Sequence, residues 1–549
     1  MTTLSIDQVR GWHPDSFGRA GAAASARAAD IVNIMTSADA ALGRVSTWVG
    51  PSADAARHTL ATELEQGRQL RNLLLCIADD AADAQREVGA ARLQLLSLVD
   101  TMTSETVSDD GSVTEENGDP APDKTARVQA ALSDVYHQDG LFAATLTESA
   151  QALSAVVRDA ALVVAPDGAL ADAPTVIAQL ESMSIDNRHR YISALDPAMQ
   201  RALLSANPQV IGNTDGVPFA LRAAANDVNI RLAREAELGK PPAQRDQALI
   251  ARYNAMIDVP IAEPHANSHR APTDNTTERL FIAFDARGQG QWIEQIGRIT
   301  PNARGIGVYV PGTGTTLAGS DSNLRSAQDL ARVSGGAVFL YADGDLPDSL
   351  IHDAPKPSYA EAMAPSLVDF GHALDTEIRT HAPGTATTFI GHSYGGVVVG
   401  HAEELGLRAD RVIYASSPAT GLSTDLPWAN PEPDVARYAL TAPGDLIQEV
   451  QAFGWFDGND PDNTPGITRL DTGYYGDGRL VAGPSAHGDY WKDPESDAFK
   501  NMARVIAGED PAKFVHRRGD TIAGEVLDSL KRQLNEVWPL SNVLRLGQP

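Results

Sequence analysis

A short apolar run, Thr387-Thr388-Phe389-Ile390, ends in Gly391-His392-Ser393-Tyr394-Gly395-Gly396, and small and apolar residues follow from Val397 to Leu405. Strand, tight turn and helix in that order push a serine out of the backbone at the edge of a sheet, where it can act as a nucleophile. The glycines have a steric reason. Backbone at the serine is strained, and side chains two residues to either side would collide as the strand folds onto the helix. Such a turn needs a buried strand before it, a helix after it, and a group that takes the serine's proton.

The chain offers that group downstream. Val435 to Leu440 reads as a short strand, and Thr441-Ala442-Pro443-Gly444-Asp445 carries a carboxylate onto the loop leaving it. Thr468 to Leu470 predicts a last strand, His487 lies in the loop from Ser485 to Trp491, and a helix is expected from Pro494 to Ala507. A serine hydroxyl is a weak nucleophile until a base removes its proton, and an imidazole, with an ordinary pKa of about 6.5, can take and return it. A carboxylate then fixes the ring's tautomer and steadies the imidazolium. The expected catalytic set is Ser393, Asp445 and His487. Asp425, on the loop after the preceding strand, is the competing acid. Asp489 lies two residues from His487, a poor spacing for orienting its ring.

Upstream, Leu280 to Phe284, a polar turn at Asp285–Gly288, and Gln291 to Ile296 predict an antiparallel hairpin. Ile306-Gly307-Val308-Tyr309-Val310 is β-rich and ends in Pro311-Gly312-Thr313-Gly314-Thr315-Thr316. That loop is placed to supply one oxyanion N–H, from Gly312, Thr313, Gly314 or Thr315, beside the N–H of Tyr394. One such donor is worth about 2.7–4 kcal/mol in a transition state. A nucleotide loop is excluded: the third glycine is missing at the required place and no G-K-[ST] occurs. Val338 to Tyr341 and Arg411 to Tyr414 are further strands. Strands alternating with helical patterns over residues 278–508 predict a mostly parallel sheet with both faces covered. Active residues collect at strand carboxyl ends in such sheets.

The first hundred residues follow a different rule. Ala24, Ala28, Ile31, Met35, Ala38, Leu42 and Val45 step by four and three, as do Leu70, Leu74, Ile77, Ala81, Ala84, Val88, Ala91, Leu95 and Leu98. Heptad spacing on consecutive helices predicts a long antiparallel hairpin. Trp48-Val49-Gly50-Pro51 marks its bend. Residues 1–102 are therefore a helical hairpin and 103–125 an acidic segment with a small hairpin between Val107 and Val113. Residues 126–275 are helical, with helices at Arg127–Leu162, Thr175–Met183, Asn187–Leu204 and Phe219–Leu238, and Glu263–Thr277 is a connection. Residues 276–549 are the sheet domain with a C-terminal helical tail.

Charge and composition exclude several classes. A net charge of -28 with no basic face argues against nucleic acid and gives no attraction to anionic lipid. The one cysteine, Cys76, has no partner for a disulfide and sits among leucines. No apolar run is long enough for a transmembrane helix, and Met1–Phe17 lacks the basic start and apolar core of a Sec signal, so the cytoplasm is the default location. His401-Ala402-Glu403-Glu404-Leu405 fails as H-E-x-x-H, and Asp457 to Asp462 lacks the glycine position and closing glutamate of a calcium loop. No metal or cofactor is expected.

Pro311-Gly312-Thr313-Gly314-Thr315, Gly391-His392-Ser393-Tyr394-Gly395, Tyr438-Ala439-Leu440-Thr441 before Asp445, and His487-x-x-Tyr490 together resemble an actinobacterial α/β-hydrolase family of unassigned substrate. Gly212-Asn213-Thr214-Asp215-Gly216-Val217-Pro218, with Arg222 and Asn226, resembles the helical segment that precedes the domain in that family. The resemblance covers roughly residues 200–508. It implies an α/β-hydrolase fold and the triad above. The expected activity is hydrolysis of a carboxylic ester, such as a lipid or other acyl ester, with Phe453, Trp455 and Phe456 as candidate walls of an acyl pocket. The N-terminal hairpin resembles the Trp-x-Gly proteins exported by type VII secretion, which implies export and a helical-hairpin partner. The Tyr-x-x-x-Asp/Glu tail of those proteins is absent here. The alternative reading is a secretion-associated interaction or effector protein that uses the hydrolase fold as a scaffold.

Overall fold

The computed structural model describes residues 5–44, 49–157, 162–257, 279–349, 356–422, 428–430, 434–453, 456 and 458–517. They fall into two units, one built from residues 1–183, 190–212 and 227–231, the other from 184–189, 213–226 and 232–549.

In the first unit, helices α1 (Asp15–Arg44) and α2 (Pro51–Asp100) run antiparallel: Gln85 donates to Asp15 at 3.2 Å, Gly21 lies against Ala78, and Gly67 lies against Met35. At about 1.5 Å per residue, the 50 residues of α2 extend about 75 Å. Ala81, Ala84, Val88, Ala91 and Leu95 are buried, as the heptad ladder predicts. Helix α3 (Pro122–Val157) packs along α2. At the bend, Gly50 has φ 117° and Pro51 is the first helical residue; Trp48 lies outside the described residues. The small hairpin forms, with Val107 opposite Val113. Burial pushes the Cys76 thiol up to about 12.

Two helical expectations need correction. The helix expected over Arg127–Leu162 is described to Val157, and its expected last residue, Leu162, belongs instead to the strand Leu162–Val164, which pairs with Leu170–Asp172. Pro166-Asp167-Gly168, with Gly168 at φ 86°, supplies the turn between those strands. Asn187–Leu204 is two helices, Ile185–Ala194 and Pro197–Ala206: Pro197 opens the second, and Asp196 accepts from the Met199 N–H at 2.8 Å as its cap.

The second unit is an eight-stranded sheet. Its strands are β1 (Arg279–Asp285), β2 (Gln291–Ile296), β3 (Ile306–Val310), β4 (Ala337–Ala342), β5 (Thr387–His392), β6 (Arg411–Ala415), β7 (Ala436–Leu440) and β8 (Ile467–Arg469). They lie in the order β8-β7-β6-β5-β3-β4-β2-β1. β1, β2 and β4 pair antiparallel, and every other pair is parallel. The expected strands are all present, and β3 and β4 are buried along their whole length, as strands covered on both faces must be. Helices α4 (Asp321–Ser334), α5 (Ser358–His381), α6 (Tyr394–Glu404) and α7 (Asp497–Ile506) cover it. Val308 and Val310 join the core with α5 and α6, whereas Gly307 meets Ile506 of α7 and Tyr309 meets Trp491. Alternation along β3 therefore puts the two helix pairs on opposite faces. The expected Glu263–Thr277 connection and C-terminal helical tail lie outside the described residues.

An edge strand leaves backbone groups unpaired, and β1 is such an edge. Asn213 answers this with its side chain. Its amide NH₂ donates to the Phe284 carbonyl at 3.1 Å, and its amide oxygen accepts from the Phe284 N–H at 2.8 Å. Asn226 donates to the Phe281 carbonyl at 2.9 Å. The Gly212–Asn226 motif thus supplies amides in place of a ninth strand. Asn213→Ala strands both groups of one peptide pair, and we expect a loss of about 1–3 kcal/mol, read as a lower urea midpoint with unchanged slope.

Candidate active site

Ser393 stands between β5 and α6 with φ 54° and ψ −124°, a conformation that side chains rarely adopt. Close backbone approach forces it. A Cβ at Gly391 would stand 2.4 Å from Gly396 Cα, and one at Gly395 only 2.2 Å from the Val310 carbonyl oxygen. The turn is therefore clamped between its own helix and the end of β3. Ser393 is 6% exposed, and its N–H donates to the Ala415 carbonyl at 3.0 Å.

Asp445 and His487 meet. Nδ1 of His487 lies 3.1 and 3.0 Å from the two carboxylate oxygens of Asp445, which is fully buried. Since a carboxylate accepts, Nδ1 carries the proton and donates. The same Oδ1 accepts from the Ile447 N–H at 2.9 Å. The loop carrying His487 is tied to the acid's loop by the Gly483 N–H, which donates to the Pro443 carbonyl at 2.7 Å. No hydrogen bond joins His487 to Ser393 Oγ among the described residues. The link between them is His392, whose ring lies 5.1 Å from that of His487. Asp425 lies outside the described residues. Asp489 turns to Lys492, at 3.1 Å.

The loop after β3 comes up against Ser393: a Cβ on Gly312 would sit 2.8 Å from Ser393 Cβ and 3.4 Å from its Oγ. Thr315 Oγ1 donates to the Gly312 carbonyl at 2.9 Å and accepts from Asn323 at 3.0 Å. The Gly314 N–H donates to the Pro347 carbonyl at 2.7 Å, which narrows the oxyanion candidates on this loop to Gly312, Thr313 and Thr315. Tyr394, the first residue of α6, is buried; its hydroxyl donates to the Lys356 carbonyl at 2.7 Å and accepts from the Ala360 N–H at 3.1 Å. This fixes the start of α5 against the elbow.

Two neighbours escape the sequence reading. His392 is packed between His487 and Trp491, and burial, then His487, holds its imidazole down at about 3, so it is neutral. Asp462 accepts from the Thr441 hydroxyl at 3.2 Å and pairs with Arg469 at 3.2 Å, and burial pushes its carboxyl up to about 7. The only sequence signal for Asp462 was the acidic run that fails as a calcium loop. Of the aromatic wall candidates, Phe456 packs edge-on against Tyr394 at 6.2 Å; Trp455 and the Phe453 side chain lie outside what is described.

Comparison with known proteins agrees with this architecture. A family model described as alpha/beta hydrolase matches residues 285–454, which include Ser393 and Asp445 and stop short of His487. Two uncharacterized proteins of Mycobacterium tuberculosis, from strains CDC 1551 and H37Rv, are each 28% identical over 267 residues, 43% of this chain and 40% of theirs. The chain thus spans about two fifths of the length of the curated relatives it matches. Among solved structures, an esterase of Pyrobaculum calidifontis aligns at TM-score 0.27 and 15% identity, over 43% of this chain and 86% of its own. Esterase LipW of Mycobacterium marinum aligns at 0.27 and 13%, over 58% and 96%. The strand order, the elbow and the family match make the second unit an α/β-hydrolase fold.

The clamp on the elbow is testable. Gly395→Ala forces a Cβ into a backbone carbonyl and should cost more than about 3 kcal/mol or prevent folding. Gly140→Ala, in α3 where nothing lies within 4 Å of the added carbon, should instead raise stability by about 0.4–1 kcal/mol; calorimetric melting reads both.

Proposed function

We propose that the second unit is a serine hydrolase that cleaves carboxylic esters through an acyl-enzyme. Ser393 is the nucleophile, His487 the base and then the acid, and Asp445 the carboxylate that orients the ring. The observation that carries this reading is the Asp445–His487 pair, at 3.0 and 3.1 Å, with Asp445 on a loop beyond the carboxyl end of β7, as a serine held at φ 54° lies beyond that of β5.

With its proton on Nδ1, donated to Asp445, His487 has a lone pair on Nε2 to take the Ser393 proton. Oγ then bonds to the ester carbonyl carbon as the C=O pair moves onto oxygen. The Tyr394 N–H, with one from Gly312, Thr313 or Thr315, would hold that oxyanion. Collapse breaks the bond to the alcohol, which leaves with the proton from Nε2. Water then enters by the same steps in reverse roles and frees the acid. Leu446, 47% exposed beside Asp445, and Phe456 against Tyr394 supply apolar surface near the site, which supports an acyl chain as the apolar part of the substrate.

A fluorophosphonate probe should label the wild-type protein and leave Ser393→Ala unlabelled; an inert wild type refutes the proposal. Asp445→Asn should lower kcat on p-nitrophenyl butyrate by about 10⁴-fold, with unchanged melting, since the ring would lose its tautomer.

A further inference from the structure

The four-residue helix Ala486–Asp489 carries His487, and its terminal carbonyls have no acceptor role inside so short a helix. The His487 carbonyl is one of these. It lies 3.0 Å from Nε2 of His392. A carbonyl only accepts, so His392 must carry its proton on Nε2 and donate it. The residue beside the nucleophile thereby satisfies the main chain of the base.

The ring is wedged as well as bonded. It lies 5.1 Å from the His487 ring on one side and 5.0 Å from Trp491 on the other. Trp491 in turn stacks on Tyr309 of β3 at 4.6 Å. Tyr490, the residue before it, is buried and shares a hydrogen bond with Ser416 at 3.2 Å. Held in this way, the His392 imidazole has one orientation and one tautomer. An apolar residue of equal size would fill the space and leave the carbonyl unpaired.

We propose that His392 is a positioning residue for the base: it anchors the His487 backbone while Asp445 anchors its ring, so that Nε2 of His487 is fixed relative to Ser393. The inference rests on the reading of His487 as the base. Two anchors are needed because Nδ1···Asp445 alone lets the ring swing about that bond. A displacement of about 1 Å at a reacting group can cost on the order of 100-fold in rate. As a neutral group, His392 neither competes for the serine proton nor repels an imidazolium.

Three variants of the full chain test this. His392→Leu should lower kcat about 10–100-fold and leave KM within about threefold, with fluorophosphonate labelling slowed in step. His392→Gln places an amide N–H near the position of Nε2 and should return most of the rate. His392→Asn reaches only the Nδ1 position and should not. A Leu variant with wild-type kcat overturns the proposal, as does a Gln variant no better than Asn. A second readout needs no turnover. The downfield Nδ1 proton of His487, followed by NMR, should broaden in the Leu variant and persist in the Gln variant. A sharp signal in the Leu variant overturns the positioning role even if the wild type resists the probe, an outcome that would refute only the serine chemistry.

Discussion

The close approach of three backbones at the elbow governs the rest of the structure. Gly391 and Gly395 let the start of α6 lie on β5 and on the carbonyl of Val310, and Gly312 lets the next loop reach Ser393. With a side chain at any of these positions, α6 would have to lift from the sheet, and Ser393 would relax from φ 54° into ordinary backbone. The strain at Ser393 is held by packing on both sides. β3, β5 and β6 are buried, and the Ser393 N–H is tied to Ala415 at the end of β6. A site of this kind depends on the stiffness of the sheet beneath it.

From that point the loops are joined in a ring. His487 meets His392, His392 meets Trp491, and Trp491 stacks on Tyr309. The Tyr309 hydroxyl donates to Asn323 at 3.1 Å, Asn323 donates to Thr315, and Thr315 donates to the Gly312 carbonyl. Because a peptide unit is planar, fixing the Gly312 carbonyl also fixes the direction of the Thr313 N–H. The Gly312–Thr315 loop and the loop that carries His487 are thus connected through the α4 and α7 face of the sheet. Most of these contacts are aromatic or side chain to backbone, so they set angles more than they add stability.

How much of this was legible depends on how local each signal is. The elbow was visible because its glycines lie within five residues of one another, and steric need writes them into that window. The strands and the mostly parallel sheet were legible from period and spacing, whereas the order in which the strands lie side by side was not. His392 was not visible in that role. Its partner lies 95 positions away, and nothing in Gly-His-Ser distinguishes a donor to a distant carbonyl from any turn histidine. Asn213 was singled out with its motif, but its edge-pairing role needed the fold, because Phe284 is 71 positions distant. Leu162, the last residue of the expected helix, is instead the first of the strand Leu162–Val164, and the Pro166-Asp167-Gly168 turn returns the chain to its partner strand. Asp196-Pro197 carried a stop-and-restart signal that outweighs the apolar spacing across it.

Asp445 has a second buried carboxyl group, that of Asp462, for a neighbour. Two carboxyl groups close together in a poorly solvated place do not both ionise readily. Asp462 stands near Asp445, and its carboxyl is pushed up to about 7, by burial first and by the neighbouring charges of Asp460 and Asp445 against the pull of Arg469. Near neutral pH it therefore holds a proton for a large fraction of the time, whereas Asp445 accepts from the Ile447 N–H and from His487. Arg469, stacked over Phe514 at 3.9 Å, is directed at Asp462 and not at the acid of the pair. A cation placed instead against Asp445 would compete with the imidazolium for the same carboxylate and weaken its stabilisation. The two acids are thereby kept apart in their partners, Asp462 with a guanidinium and Asp445 with an imidazole.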